Sequence, residues 1–443
     1  MKKEIGIIFI ALALIALLVG SFFGSISALQ YIIPGFLDSV PFFKSRPLHV
    51  SLVVAWIFLS AIGGIYYYLP KYCQLPLFST KLPRIHFWLF LITGFIILIC
   101  YLLGKFGGRE YWEYPPVLAI PIFVSWVLFG FNYFKTVFKK VGHWPVYLWM
   151  WGTGIFFFLF TFSESYLWMF PYFRNNIVRD LTVQWKAYGA LVGSWNMLVY
   201  GTAIFIMERI NGDESIAKSK LAFLMYFLGF TNLLFGWAHH IYIVPCAPWI
   251  RYFAYGISMT ELLILGKIMW NWKNSLSEAK KHFYFLPFKF IVASDFWVFI
   301  NLALALVISV PAINIFSHGT HITVAHAMGS TIGINTMILL ASCLFLIVDV
   351  TQKEFSKLQQ RSINIGFWVL NVFLAAFWVS LIFAGAEKGR LIVEDTLSFQ
   401  EIMEHINPYL TVFCITGIGV LIGLILIIFP ALRVSAAYLI KKE

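Results

Sequence analysis

Three histidines and a methionine crowd the stretch Ser317-His318-Gly319-Thr320-His321-Ile322-Thr323-Val324-Ala325-His326-Ala327-Met328-Gly329, at the head of a long apolar run. Hydrocarbon offers an idle imidazole nothing to bond, so such a cluster reads as a functional site. His326 and Met328 matter most. Residues two apart on an α-helix point to nearly opposite sides, roughly 200° around the axis, and one helix could therefore ligate two different metals, one on each face. His318 and His321, taken alone, read first as histidines that satisfy local hydrogen bonds.

Four other places could join that chemistry. His239 and His240 close an apolar run at Gly236-Trp237-Ala238-His239-His240; they diverge by about 100° on a helix, yet at a helix end both rings can reach one ion, and neutral imidazole is the commonest metal ligand. His49 opens another run after Arg46-Pro47-Leu48, where an interfacial histidine needs no partner but water. Asn196 and Tyr200 are four apart and share one helix face, either as site residues or as an amide and a phenol that link helices. Glu261 lies near the middle of its run, far from water, which favours a protonated carboxyl or a charge beside a cofactor. Glu164, nearer an interface, reads either as a proton-path residue or as a group in touch with water, and Lys267 can snorkel to the surface.

The elements that must position these residues are transmembrane helices. A 443-residue chain that is 60% apolar, 19% aromatic and only 12% charged, with a mean hydropathy of +0.83, is a polytopic membrane protein. Runs of about 20 residues, long enough to span, recur at 5–30, 49–69, 86–104, 116–138, 143–170, 183–209, 217–243, 248–271, 287–314, 319–350, 363–386 and 408–432. Barrel strands would alternate in character, so the fold class is all-α, a bundle of about twelve helices. No linker, low-complexity tract or internal repeat interrupts it, and residues 1–443 are read as a single membrane domain. The first run follows Met1-Lys2-Lys3-Glu4 without an evident cleavage site and is expected to be retained.

The formal charge of +12 is distributed as a membrane topology and does not point to nucleic acid. With a cytoplasmic N-terminus, 21 Lys/Arg fall on the cytoplasmic side and 10 on the other, and Lys267 alone remains within a span, which accounts for all 32. That is the positive-inside bias. In this topology His49, His239, His240, His318, His326 and Asn196 all gather in the outer half of the bilayer, His326 lying about 12 Å down the axis from His318. The five cysteines form no Cys-x-x-Cys-His, so no c-type haem is attached to them, and they read as small core residues.

The twelve runs, a histidine opening the second, a candidate ligand in the sixth, His-His closing the seventh and a His-x-ligand pair in the tenth resemble the haem-copper oxidase superfamily, subunit I, over essentially the whole chain. The His-Gly-Thr-x-x-x-Val-Ala-His element at 318–326 and the chain length are most similar to the catalytic large subunit of cytochrome c-dependent nitric oxide reductase. The resemblance implies that His49 and Met328 bind a low-spin haem b, that His326 binds a high-spin b-type haem, and that His239 and His240 hold a non-haem metal, iron or copper, beside that haem. Glu261 matches a glutamate the reductases keep near the active site.

Three positions depart from the family pattern. Asn196 stands where the family has a third histidine ligand, and an amide is a poor ligand for a soft or borderline metal. Tyr200 stands where nitric oxide reductases have a metal-binding glutamate and where many oxygen reductases have a tyrosine linked to the preceding histidine. Met328 replaces a histidine, and His/Met ligation raises the haem potential. The resemblance therefore implies an oxidoreductase of a bacterial-type cytoplasmic membrane acting on a small gas, with a cytochrome c-type subunit or soluble cytochrome as electron donor at the outer face. Nitric oxide reduction is the leading reading; oxygen reduction, nitric oxide dismutation and a non-catalytic haem electron-transfer role are its alternatives. A cofactor-free transporter is disfavoured because no inverted repeat or broken-helix pair is visible. The loop between the second and third runs lacks the Asp that starts the main proton channel of pumping oxidases, so no pumping is expected, although Lys267 falls on the helix that carries the lysine of their other route.

Overall fold

The computed structural model of this protein describes residues 4–242, 244–258 and 260–440. Regular structure among these residues is helical, apart from one isolated bridge between Arg109 and Trp112. Eleven helices are long and apolar enough to cross a membrane, from Ile5–Ile32 to Phe399–Ile440. The run expected at 248–271 departs from the others. It folds as two shorter helices, Pro248–Ile257 and Thr260–Ser275, because Ser258 takes an extended conformation that interrupts the hydrogen-bond ladder.

Local capping explains where the site-bearing helices start. The sixth span, Ile177–Asn211, begins at Asn176, whose side chain accepts from the Arg179 amide, and Asp180 in its first turn suits the positive end of the helix dipole. Ser219 caps the seventh, Lys220–Phe235, in the same way. That helix then tightens into a 3-10 turn, Gly236–Ile241, which carries the histidine pair. In the tenth span Thr320 caps a short α-helix, His321–Met328. A π-helical stretch, Gly329–Thr336, follows before regular α-helix resumes at Met337–Thr351. Such π segments widen the helix locally and often accompany functional sites.

The chain forms two compact units. One comprises residues up to Val141, Ser342–Ser380 and Asn407 onward; the other comprises Gly142–Ala341 and Leu381–Ile406. In the first, Tyr67 and Tyr72 both donate to Asp349 Oδ2 at 2.6 Å, and the Tyr68 hydroxyl lies 2.7 Å from Ser342 Oγ. The first and second spans approach closely in the same unit. A Cβ placed on Gly24 would come within 2.7 Å of His49 Nδ1, so only glycine leaves room for the ring. In the second unit the sixth span packs against the fifth and seventh and is buried almost without interruption from Met197 to Glu208. The π segment meets the ninth span there, and Trp297 occupies the space a side chain on Gly333 would need.

Gly24→Ala is expected to displace the His49 ring, lowering yield and altering the visible spectrum of the purified protein. Gly94→Ala, whose new methyl meets nothing within 4 Å, is expected to leave both unchanged. Equal spectra for the two variants would show that Gly24 does not set the ring.

Candidate functional site

His49 sits two turns inside the second span with its Nδ1 2.8 Å from the carbonyl oxygen of Gly20. A carbonyl only accepts, so in the neutral ring Nδ1 carries the proton and Nε2 keeps its lone pair. This is the arrangement by which a backbone carbonyl fixes the tautomer and aim of a ligating imidazole. One turn away Arg46 pairs with Glu110 and, at 3.2 Å, with Glu113. Glu113 lies outside the spans, and its burial pushes the carboxyl up from its usual range while Arg46 pulls it back.

The second unit brings the other candidates together. The 3-10 turn puts the His239 and His240 rings 4.1 Å apart between centroids, closer than two residues on one face of an α-helix would be. Ser258 Oγ lies 3.3 Å from His239 Nδ1. Trp185 stacks on His240 at 4.8 Å with the planes only 7° apart, and its edge meets His318 at 6.0 Å. His239 and His240 each lie within electrostatic reach of His318 and His326. His318 stands between spans, and burial holds its imidazole below the usual range. His326 is half-buried, its Nδ1 sealed from solvent without a hydrogen-bond partner. Its backbone carbonyl accepts from Asn301 Nδ2, which also donates to Ser330 Oγ. Met328, half-buried, ends the same short helix immediately before the π stretch.

Asn196, Tyr200 and Glu261 share one cavity with Asn232, its remaining walls formed by Met150, Met197, Met225, Gly193 and Gly229. Tyr200 and Glu261 are 5% and 3% exposed. Glu261 Oε1 accepts from Asn232 Nδ2 at 2.7 Å, while Oε2 is buried without a partner. Asn196 Oδ1 accepts from Asn335 Nδ2 at 3.1 Å. Glu164 is ion-paired with Lys186, in keeping with the interfacial reading of that carboxylate, and Lys267 is exposed.

Sequence spacing alone does not single out Asn232, Asn335, Asn301, Trp185 or Ser258. Two of them carry a signal in hindsight. Asn232 precedes His239 by seven residues and Trp185 precedes Asn196 by eleven, spacings that return to nearly the same helix face. Asn335 lies within the π segment, where that periodicity fails.

The donors suit haem. His49 offers a preorganised Nε2, His326 is an imidazole with a sealed, unpaired Nδ1, and a thioether is an established haem ligand type. For a further metal they supply less. Among the described residues no three His, Cys, Asp or Glu side chains converge as they would on one ion. The two imidazoles at 239 and 240 lack a third such donor, and the Asn196 amide oxygen already accepts from Asn335.

A family model described as cytochrome C and quinol oxidase polypeptide I matches residues 4–419. The chain is 22% identical over 431 residues to a nitric oxide reductase subunit of Stutzerimonas stutzeri, covering 91% of this chain and 89% of that one. It is 25% identical over 434 residues to the cbb3-type cytochrome c oxidase subunit CcoN1 of the same organism, covering 89% and 86%. A solved heme-copper terminal oxidase, studied as a dimer by cryo-EM, superposes with a TM-score of 0.79 at 15% identity, covering 98% of this chain and 84% of that one. The all-helical fold expected from the resemblance is thus found over the chain's length, as an integral membrane protein. With the match of the family model over 4–419, the helical fold and the histidines on the second, seventh and tenth spans, this chain belongs to the cytochrome c and quinol oxidase polypeptide I family, oxidoreductases for which haems and a second metal are implied.

Proposed function

We propose that this chain is the catalytic subunit of a membrane respiratory enzyme that reduces nitric oxide to nitrous oxide, with electrons from a cytochrome c-type subunit or soluble cytochrome. Two NO, two electrons and two protons give N2O and one water. All of residues 1–443 serve one membrane domain, with a cytoplasmic N-terminus and the haem-binding residues towards the outer side. His49 and Met328 are ligands of a low-spin haem b and His326 is the ligand of a high-spin b-type haem. His239 and His240 hold the non-haem iron or copper, with Asn196 beside them. When bound, these groups supply one-electron transfer and a place for a diatomic gas.

The chain's own side chains do the rest. Gly20 holds the His49 ring in the tautomer that leaves Nε2 open. Trp185 fixes the plane of His240 by stacking, and Ser258 steadies His239. Glu261 is the proton-holding group, at Oε2, in surroundings where a bare carboxylate is expensive. The observation that carries the nitric oxide reading is this glutamate, buried in one cavity with Asn196 and Tyr200. The likeness to a nitric oxide reductase chain over most of the length supports it.

Tyr200 favours a second reading, oxygen reduction, because a buried phenol faces the cavity four residues after Asn196 where the reductases have a glutamate. The likeness to a cbb3-type oxidase chain supports that alternative. Asn196 and Tyr200 together also suit nitric oxide dismutation. Gas electrodes on the purified protein separate the three: N2O formation from NO is expected, and O2 consumption, or O2 release from NO, would replace the first reading by the second or the third.

Two substitutions probe the ligands. Met328→His is expected to convert the low-spin haem to two imidazole ligands and lower its potential; an unchanged spectrum and midpoint in a redox titration would remove Met328 from the ligand set. Asn196→His combined with Tyr200→Glu is expected to raise retention of the second metal on the order of 10-fold or more. Metal analysis after dialysis against chelator reads this, and equal retention in the parent and double variant would place the third donor elsewhere.

A further inference from the structure

The cavity shared by Asn196, Tyr200, Asn232 and Glu261 adjoins a carboxyl whose second oxygen, Glu261 Oε2, is buried without a partner. A polar oxygen sealed from solvent without a partner is costly, and Glu261 Oε2 calls for one. The cavity volume is about 10 Å³, which is the room one water needs. A single water can accept from a protonated carboxyl oxygen and donate to an ionised one. The thioether side chains of Met150, Met197 and Met225 close the remaining walls and offer such a water no competing strong partner.

Asn232 is fixed at both ends of its amide. Nδ2 donates to Glu261 Oε1 at 2.7 Å, which turns Oδ1 the other way, and Gly236 lies where any Cβ would collide with that oxygen. Asn232 is therefore a clamp with little freedom to swing. It also stands seven residues ahead of His239, close to two helical turns and on nearly the same face, so one stretch of chain carries both the clamp and the histidine pair.

We propose that Asn232 is the positioning residue for Glu261, through the bond from Nδ2 to Oε1, and that the cavity holds one buried water, which accepts from Glu261 Oε2 when the carboxyl is protonated and donates to it when the carboxyl is ionised. The water extends the carboxyl towards the wall formed by Asn196 and Tyr200, so that a proton held on Glu261 can leave through it while Asn232 keeps the carboxyl from rotating away. The functional part of this proposal rests on the reading of Glu261 as the proton-holding group; the water and the clamp do not depend on which gas is reduced.

Infrared difference spectroscopy on the purified haem-loaded protein tests it without reference to turnover. Reduced-minus-oxidised spectra are expected to contain a water O–H band that moves in H2-18O and a carboxyl band that is lost in Glu261→Gln. In Asn232→Leu the water band is expected to disappear and the carboxyl band to shift, with haem content and visible spectrum unchanged, and turnover with the active gas is expected to fall about 10-fold. Asn232→Ser, smaller and still able to donate and accept, is expected to keep a water band and guards against a variant that does not fold. Parent protein with no 18O-sensitive water band, or a folded Asn232→Leu with both bands unmoved, overturns the proposal. A failure to make N2O with these bands present would instead overturn the nitric oxide reading alone.

Discussion

A nitrogen donor inside an apolar helix bundle is useful only if one ring nitrogen is satisfied and the other is left open, and the bond from His49 to the Gly20 carbonyl meets both conditions. A carbonyl in the middle of a helix already accepts from the amide four residues on, but its second lone pair is free to take another donor. The first span therefore orients the ring without giving up its own ladder. The contact requires the two helices to come close, and Gly24, one turn past Gly20, provides the gap that the imidazole fills. Sequence, packing and ligand geometry meet in that one contact: remove the carbonyl's reach or the missing side chain, and Nε2 no longer has a fixed direction.

The second unit meets the same demand with departures from the regular α-helix. At the end of the seventh span the helix gives way to a 3-10 turn, and the consecutive imidazoles it carries lie 4.1 Å apart. In the tenth span the α-helix gives way to a π segment directly after Met328, so the later side chains fall out of step with His326. That is how Asn335, nine residues on, comes to reach Asn196. Irregular turns of this sort cost hydrogen-bond geometry, and here they coincide with the residues whose types could do chemistry.

How much of this the sequence discloses depends on whether the determinant is periodic. The helices are legible because apolar runs of about 20 residues admit few alternatives in lipid, and eleven of them are found. The exception, at 248–271, is hidden because hydropathy does not register an extended backbone at Ser258. His239, His240 and His326 are legible as residue types misplaced in hydrocarbon, whereas His49 on its own reads as an interfacial histidine and stands out only through the family resemblance. Spacing does not disclose their supporting cast. Trp185 is one of 17 tryptophans, and nothing but the fold distinguishes the one that lies flat on His240. Asn232 and Asn335 are amides that could have linked any two helices, and the π segment removes the register that would have pointed from His326 to Asn335.

At position 196 the sixth span presents an amide to the cavity. An imidazole there would offer a lone pair to an ion; the carboxamide oxygen instead accepts from Asn335, while a second carboxamide, Asn232, donates to Glu261. The cavity between them is thus lined by groups that exchange hydrogen bonds and protons more readily than they bind metal. A carboxyl buried to 3% exposure beside such groups is stabilised as a neutral acid more easily than as an anion, since an anion would need compensating charge that none of the other side chains lining the cavity supplies. An amide at position 196 therefore suits this cavity to exchanging hydrogen bonds, while the paired histidines stand apart on the seventh span, outside its lining.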